Sequence, residues 1–159
     1  MTYLCDVNIW LALALSGHIH HSACRRWLAT VDERSSVMFC RATQQSLLRL
    51  LTSTTVLSGY RRLPLTNDEA WDAYQAFLGD ERISLRIDEP EDLEDTWRDY
   101  ARRGSASPKV WMDAYLAAFA RGAGYQFVTS DTAFQQYSGS TSSSSVNAPC
   151  SRHAPAGRR

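Results

Sequence analysis

Four short apolar segments, Tyr3-Leu4-Cys5, Val37 to Cys40, Ile83 to Ile87 and Gln126 to Thr129, recur along the chain with helix-patterned sequence between them. This alternation constrains the fold more than any single motif. Parallel strands cannot be joined by a tight turn and need a long crossover, which is usually a helix. The pattern therefore predicts an α/β protein, with a mostly parallel sheet covered by helices on both faces.

The intervening stretches carry their own signals. Val7 to Leu15 has the leucine and alanine content of a first helix. Cys24, Trp27, Leu28 and Val31 fall at i, i+3, i+4 and i+7, one apolar face of a second. Thr43 to Leu51 follows with four leucines on a wide face. Thr66-Asn67-Asp68-Glu69 is a capping box, and the helix it opens presents Trp71, Tyr74 and Phe77. A further helix is expected from Pro90, as an N1 proline, to Arg103 with Gly104 as its stop, and another from Lys109 to Gly122.

A chain of 159 residues is long enough to close one core without staples. The pattern holds over residues 1–138, read as the catalytic domain. Residues 139–159 begin as almost pure Gly/Ser/Thr and show no periodicity, and are read as a disordered tail lacking the apolar strand that would complete such a sheet. The formal charge of zero conceals a division, since the tail holds three arginines and no acid, leaving 14 bases against 17 acids, or −3, in residues 1–138. Global basicity therefore does not announce a nucleic-acid partner, and any such contact must come from local arginine pairs such as Arg25-Arg26, Arg61-Arg62 and Arg102-Arg103. The four cysteines lack zinc-site or CxxC spacing, which favours buried reduced thiols. No apolar run approaches a membrane span and no leader pattern precedes the first strand, so a cytoplasmic protein is expected.

In an open parallel sheet, ligands gather at the carboxyl ends of the strands where the order reverses. Asp6 and Asp131 each follow a strand directly, and Asp113 lies in the first turns of a helix. Each has a dull alternative: Asp6 and Asp131 as helix caps, Asp113 as a solvated helix residue. Three carboxylates meeting in one cleft repel each other, and a cation is what makes the arrangement tolerable. Oxygen-only ligands suit Mg²⁺, with Mn²⁺ as a substitute, and the chemistry such a site supports is phosphoester hydrolysis.

The stretches around Asp6-Val7-Asn8, Thr43-Gln44-Gln45-Ser46, Trp111-Met112-Asp113 and Thr129-Ser130-Asp131 resemble, in order over residues 2–137, the four sequence blocks of PIN-domain ribonucleases, and most nearly VapC toxins of bacterial toxin–antitoxin pairs. The resemblance implies a three-layer α/β/α sandwich, usually a homodimer, that uses Mg²⁺ or Mn²⁺ to cut RNA and is silenced by a VapB-type antitoxin. It implies Asp6 and Asp113 as the principal metal ligands, Asp131 as the later acid that completes the shell or orients water, and Asn8 and Thr129 as small polar supports.

Many relatives carry a glutamate three residues after the threonine of the second block. Ser46 stands there in this chain, with Gln44 and Gln45 as the nearest polar side chains. A glutamine amide brings no charge, so one tightly held metal, with a second joining only alongside RNA, is expected. Two other readings remain. One is a weakened PIN-fold module that binds RNA or an antitoxin without cutting; the other is a phosphohydrolase with Asp6 as nucleophile, which would need an acid where Asn8 stands. His18, His20 and His21 read as a polar loop, and the five tryptophans as core or dimer-face anchors.

Overall fold

The computed structural model describes residues 1–131 and the backbone of residues 144–145. Its elements run β1 (Tyr3–Cys5), α1 (Val7–Ala14), α2 (His21–Ala29), β2 (Val37–Cys40), α3 (Arg41–Leu51), α4 (Thr54–Ser58), α5 (Asn67–Leu78), β3 (Ile83–Arg86), α6 (Leu93–Ala101), α7 (Val110–Ala123), β4 (Gln126–Thr129) and β5 (Ser144–Ser145). The strand order is β3-β2-β1-β4-β5, and every described pairing is parallel. From β1 the chain steps outward through β2 to β3, then returns by α6 and α7 to lay β4 against the other side of β1. The order thus reverses between β1 and β4.

Successive strand residues face opposite sides, and the core divides accordingly. Cys5, Val37, Phe39, Ile83 and Val128 join residues of α1, α2, α3 and α5 in one buried cluster. Leu4, Cys40 and Phe127 join α6 and α7 in the other. Two clusters separated by one sheet make the expected three-layer sandwich. The Thr66/Glu69 capping box forms as expected, each side chain bonding the other residue's amide.

Some boundaries differ from expectation. Helix α6 begins at Leu93 rather than Pro90. The Pro90 carbonyl instead accepts from the Leu93 amide, so the proline sits in a turn ahead of the helix. Helix α4 has only five residues and no apolar repeat; it rests on the Ser53 hydroxyl accepting from the Val56 amide and on buried Leu57. In the stretch expected to be a disordered tail, Ser144–Ser145 pairs with β4, which apolar side chains are not needed for, because a strand ladder is made by backbone groups. The rest of residues 132–159, with Cys150, lies outside the described residues.

The turn before α6 also explains Gly122 in α7. A Cβ there would lie 2.7 Å from Pro90 Cβ and 2.7 Å from Asp92 Oδ1. Overpacking against a rigid ring costs about 1–3 kcal/mol, against about 1 kcal/mol regained from alanine's helix propensity. Gly122→Ala is therefore expected to lower the urea midpoint, and an unchanged or higher midpoint would show that the turn gives way freely.

Candidate active site

The sheet order reverses between β1 and β4, and the carboxyl ends of strands at such a reversal are where an open parallel sheet places a ligand crevice. Asp6 directly follows β1, and Ser130-Asp131 directly follow β4. The register pairs Cys5 with Val128, so the chain ends leaving the two strands start level. Helix α7, packed against this side of the sheet, brings Asp113 in its first turn.

Asp6 occupies the N-cap position of α1, yet its side chain makes no capping bond. Its Oδ2 accepts instead from the Thr129 hydroxyl at 3.2 Å and from the Asn8 amide at 3.2 Å. The Thr129 hydroxyl in turn accepts from the Asp131 backbone N–H at 3.0 Å. One hydroxyl, itself buried, therefore ties the end of β4 to the carboxylate that follows β1.

Asp6 is only 5% exposed. Burial pushes its carboxyl up to about 6. The Val7 amide and the Thr129 hydroxyl pull the other way, and the charges of Asp113 and Asp131 push it further up. Asp113 is half-buried and also raised, by burial first, then by the charge of Asp131, with Lys109 opposing. The three acids thus feel one another's charge, although 123 residues separate Asp6 from the strand that holds it. Asp131 is exposed, at the mouth of the crevice.

The other expected residues divide. Asn8 and Thr129 sit on the Asp6 carboxylate. Gln44 is buried, but its Oε1 accepts from Arg41 at 2.6 Å, and no hydrogen bond carries it to Asp6. Ser46 is half-buried, so the second block adds no charge to the crevice. The neutral residue beside Asp6 counts against a phosphoaspartate mechanism, because Asn8 stands where that mechanism needs a second acid and serves here as a donor to Asp6.

Among the described residues, no three His, Cys, Asp or Glu side chains form a group that could enclose a metal unaided. Magnesium does not need one, since it is commonly held by one or two carboxylates and otherwise by water and substrate oxygens. Buried Asp6, a carboxylate with two further acids within electrostatic reach, fits an ion of that kind. His18, by contrast, stacks on Tyr60, and His21 Nδ1 pairs with the Ala12 carbonyl, which gives the histidines structural partners. Cys5, Cys24 and Cys40 are free and buried, as expected.

Sequence reasoning missed two neighbours of the acids. Lys109 lies four residues before Asp113, a spacing that brings side chains together on a helix, and it could have been found on that ground. Trp111 is 59% exposed and Trp71 47%, so of the expected core or dimer-face places neither occupies the core of the described chain. Apolar periodicity identified their helices correctly and could not show which turn lies beyond the edge of the neighbouring layer.

The PIN domain family matches residues 3–140. The chain is 64% identical over 136 residues to Ribonuclease VapC41 of Mycobacterium tuberculosis, covering 86% of this chain and 93% of that protein. Among solved structures, VapC20 of Mycobacterium tuberculosis, a toxin that cleaves the sarcin-ricin loop, superposes with a TM-score of 0.60 at 20% identity, over 85% of this chain and 94% of that one. VapBC-1 from nontypeable Haemophilus influenzae also gives 0.60, at 15% identity, over 92% and 98%. The structures establish the shared fold, and the sequence match extends through all the strands that build the crevice: the chain belongs to the PIN-domain family, among the VapC ribonucleases.

Proposed function

We propose that this chain is a divalent-metal-dependent endoribonuclease, the toxin of a toxin–antitoxin pair, with Asp6, Asp113 and Asp131 as its metal-binding and catalytic acids. The observation that carries the proposal is the Asp6 carboxylate, left out of side-chain helix capping, held by Thr129 and Asn8, and raised by burial and then by two other acids at the strand-order reversal. Bound there, Mg²⁺ or Mn²⁺ would lower the pKa of a water and offset charge building on the scissile phosphate.

The chain's own residues prepare that chemistry. Thr129 and Asn8 fix one Asp6 oxygen and leave the second for a cation. Asp131, held at its backbone by Thr129, is placed to accept a proton or orient water at the open side. Lys109 moderates the charge on Asp113 and offers a phosphate contact. Gln44, tied to Arg41, supports the wall. With no acid on α3, one tightly held ion remains the expectation. The likeness to VapBC assemblies supports a VapB-type antitoxin as partner, and a homodimeric toxin in a cytoplasmic setting belongs to the same proposal. No described helix is long and apolar enough to cross a membrane.

The test is cleavage of RNA by the purified chain. Product should form with Mg²⁺ and disappear with excess EDTA, and Asp113→Ala should lower the rate at least about 100-fold with an unaltered melting curve. Cleavage that survives EDTA or this substitution would end the proposal. Ser46 in the second block also keeps a non-cutting module in view: RNA binding without any Mg²⁺-dependent cleavage would reassign the chain to that role.

A further inference from the structure

Helix α7 carries its exposed apolar residues immediately before its acid. Trp111 is 59% exposed and Met112 42%, and Asp113 follows. Together with Ala42, Trp97 and Tyr115 these two residues line a wholly apolar pocket of about 190 Å³. Trp97 forms its back wall, meeting Trp111 edge-on at 6.4 Å and Tyr115 at 5.4 Å. The Trp97 indole donates to the Trp111 carbonyl at 2.9 Å, which fixes the backbone from which the exposed ring projects.

Trp111 also borders a second, larger cleft of about 460 Å³, lined by Arg98, Arg102 and Arg103 with no acid among its lining residues. Among the described residues, Arg98 and Arg102 form ion pairs with the exposed carboxylates of Asp95 and Asp99, at 3.5 and 4.0 Å, and Arg103 donates to the Tyr100 and Arg102 carbonyls. Such exposed pairs are weak and exchange readily for another anion. One aromatic ring thus stands between an apolar slot and a cleft that carries three arginines, two residues ahead of Asp113 on α7.

A single RNA strand presents this same pair of surfaces, flat apolar bases on one side and a chain of phosphates on the other. The geometry points to Trp111 as a stacking platform for an unpaired base of the bound RNA, with the adjoining phosphates running along Arg98, Arg102 and Arg103. This rests on the ribonuclease reading and adds to it a requirement for single-stranded RNA at that position.

Stacking and phosphate contact respond differently to salt, and this supplies the test. The Asp6→Asn background, which prevents cutting, is titrated with short fluorescein-labelled single-stranded RNA over a range of salt. Trp111→Ala should weaken binding roughly 5- to 100-fold at every salt concentration without changing the salt slope, and Trp111→Phe should stay within about threefold of the parent. Arg102→Ala should instead flatten the slope of log K against log salt by about 0.7 for the phosphate lost. In the cutting-competent chain, Trp111→Ala should raise KM on a single-stranded substrate more than it lowers kcat.

Trp111 contributes little to the core, so its variants fold, and a melting curve verifies this. Binding by Trp111→Ala within twofold of the parent overturns the stacking site, as does a change in salt slope matching that of Arg102→Ala. Unchanged RNA binding with altered dimer mass or antitoxin affinity overturns it in favour of a protein-docking face. A parent chain that neither binds nor cuts RNA overturns the ribonuclease reading together with this one, whereas a parent that cuts normally beside an indifferent Trp111→Ala defeats the stacking site alone.

Discussion

Asp6→Asn will lower the rate of RNA cleavage about a thousandfold and, in the same protein, raise the stability of the metal-free fold at neutral pH. The first effect follows from removing the charge that would hold a cation against the phosphate. The second follows from burial. The folded Asp6 carboxyl titrates at about 6, above its ordinary 3.8, so the folded chain holds a proton there more tightly than the unfolded chain does. Below the ordinary value both states are protonated and the site costs nothing. As pH rises towards 6, the unfolded chain releases its proton first and stability falls. Above 6 both states are charged and the full penalty remains, about 3 kcal/mol at about 1.4 kcal/mol per unit.

Asparagine keeps an oxygen for Thr129 and Asn8 and carries no charge, so about 1–3 kcal/mol of the penalty should be recovered at pH 7.5 and almost none at pH 4. Chelator-treated melts at the two pH values measure it. Lower stability of Asp6→Asn at pH 7.5 would mean that the buried charge is compensated by groups other than those around Thr129. Adding Mg²⁺ should stabilise the parent and leave the variant unmoved, since only the parent gains by neutralising the charge.

Trp10→Ala will cost about 3–5 kcal/mol, enough to unfold a large fraction of a domain with ordinary stability. Trp10 is fully buried in α1, stacked on Phe39 of β2 at 3.6 Å and edge-on to Phe77 of α5 at 5.4 Å. It therefore joins three elements that are distant in sequence, and its removal leaves a cavity that a rigid sheet cannot close. Its indole N–H is buried with no partner among the described residues. Trp10→Phe gives up some contact area and also removes this unsatisfied donor, two effects of comparable size. The phenylalanine variant should lie within about 1.5 kcal/mol of the parent in urea unfolding, far above alanine. Equal loss from both variants would show that the indole N–H has a partner after all.

The strands were legible because each is a short apolar run bounded by a change of period, and the Thr66/Glu69 box was legible because its chemistry is local. Position along the chain also revealed Asp6 and Asp131, since residues just after parallel strands share one sheet edge. What sequence could not show was how each polar group is engaged. Asp6 as a cap and Asp6 turned away from the cap look alike until the Thr129 hydroxyl is found on it from 123 residues away. Gln44 reads as a candidate for the crevice until Arg41, one helical turn earlier, is seen to hold its oxygen. The Pro90 boundary failed for a related reason: a proline fits the first turn of a helix and a preceding turn equally well, and only its contact with Gly122 decides between them.

The pairing of β1 with β4 sets a condition on when this protein becomes dangerous. A ribosome releases Tyr3–Cys5 among the first residues and Gln126–Thr129 only after more than a hundred others, so Asp6 emerges long before the hydroxyl that orients it. Throughout that interval the nascent polypeptide has half a blade. The Asp6 carboxylate is therefore oriented only once synthesis has passed Thr129, and the order of the chain makes the site one of the last features of the fold to be completed.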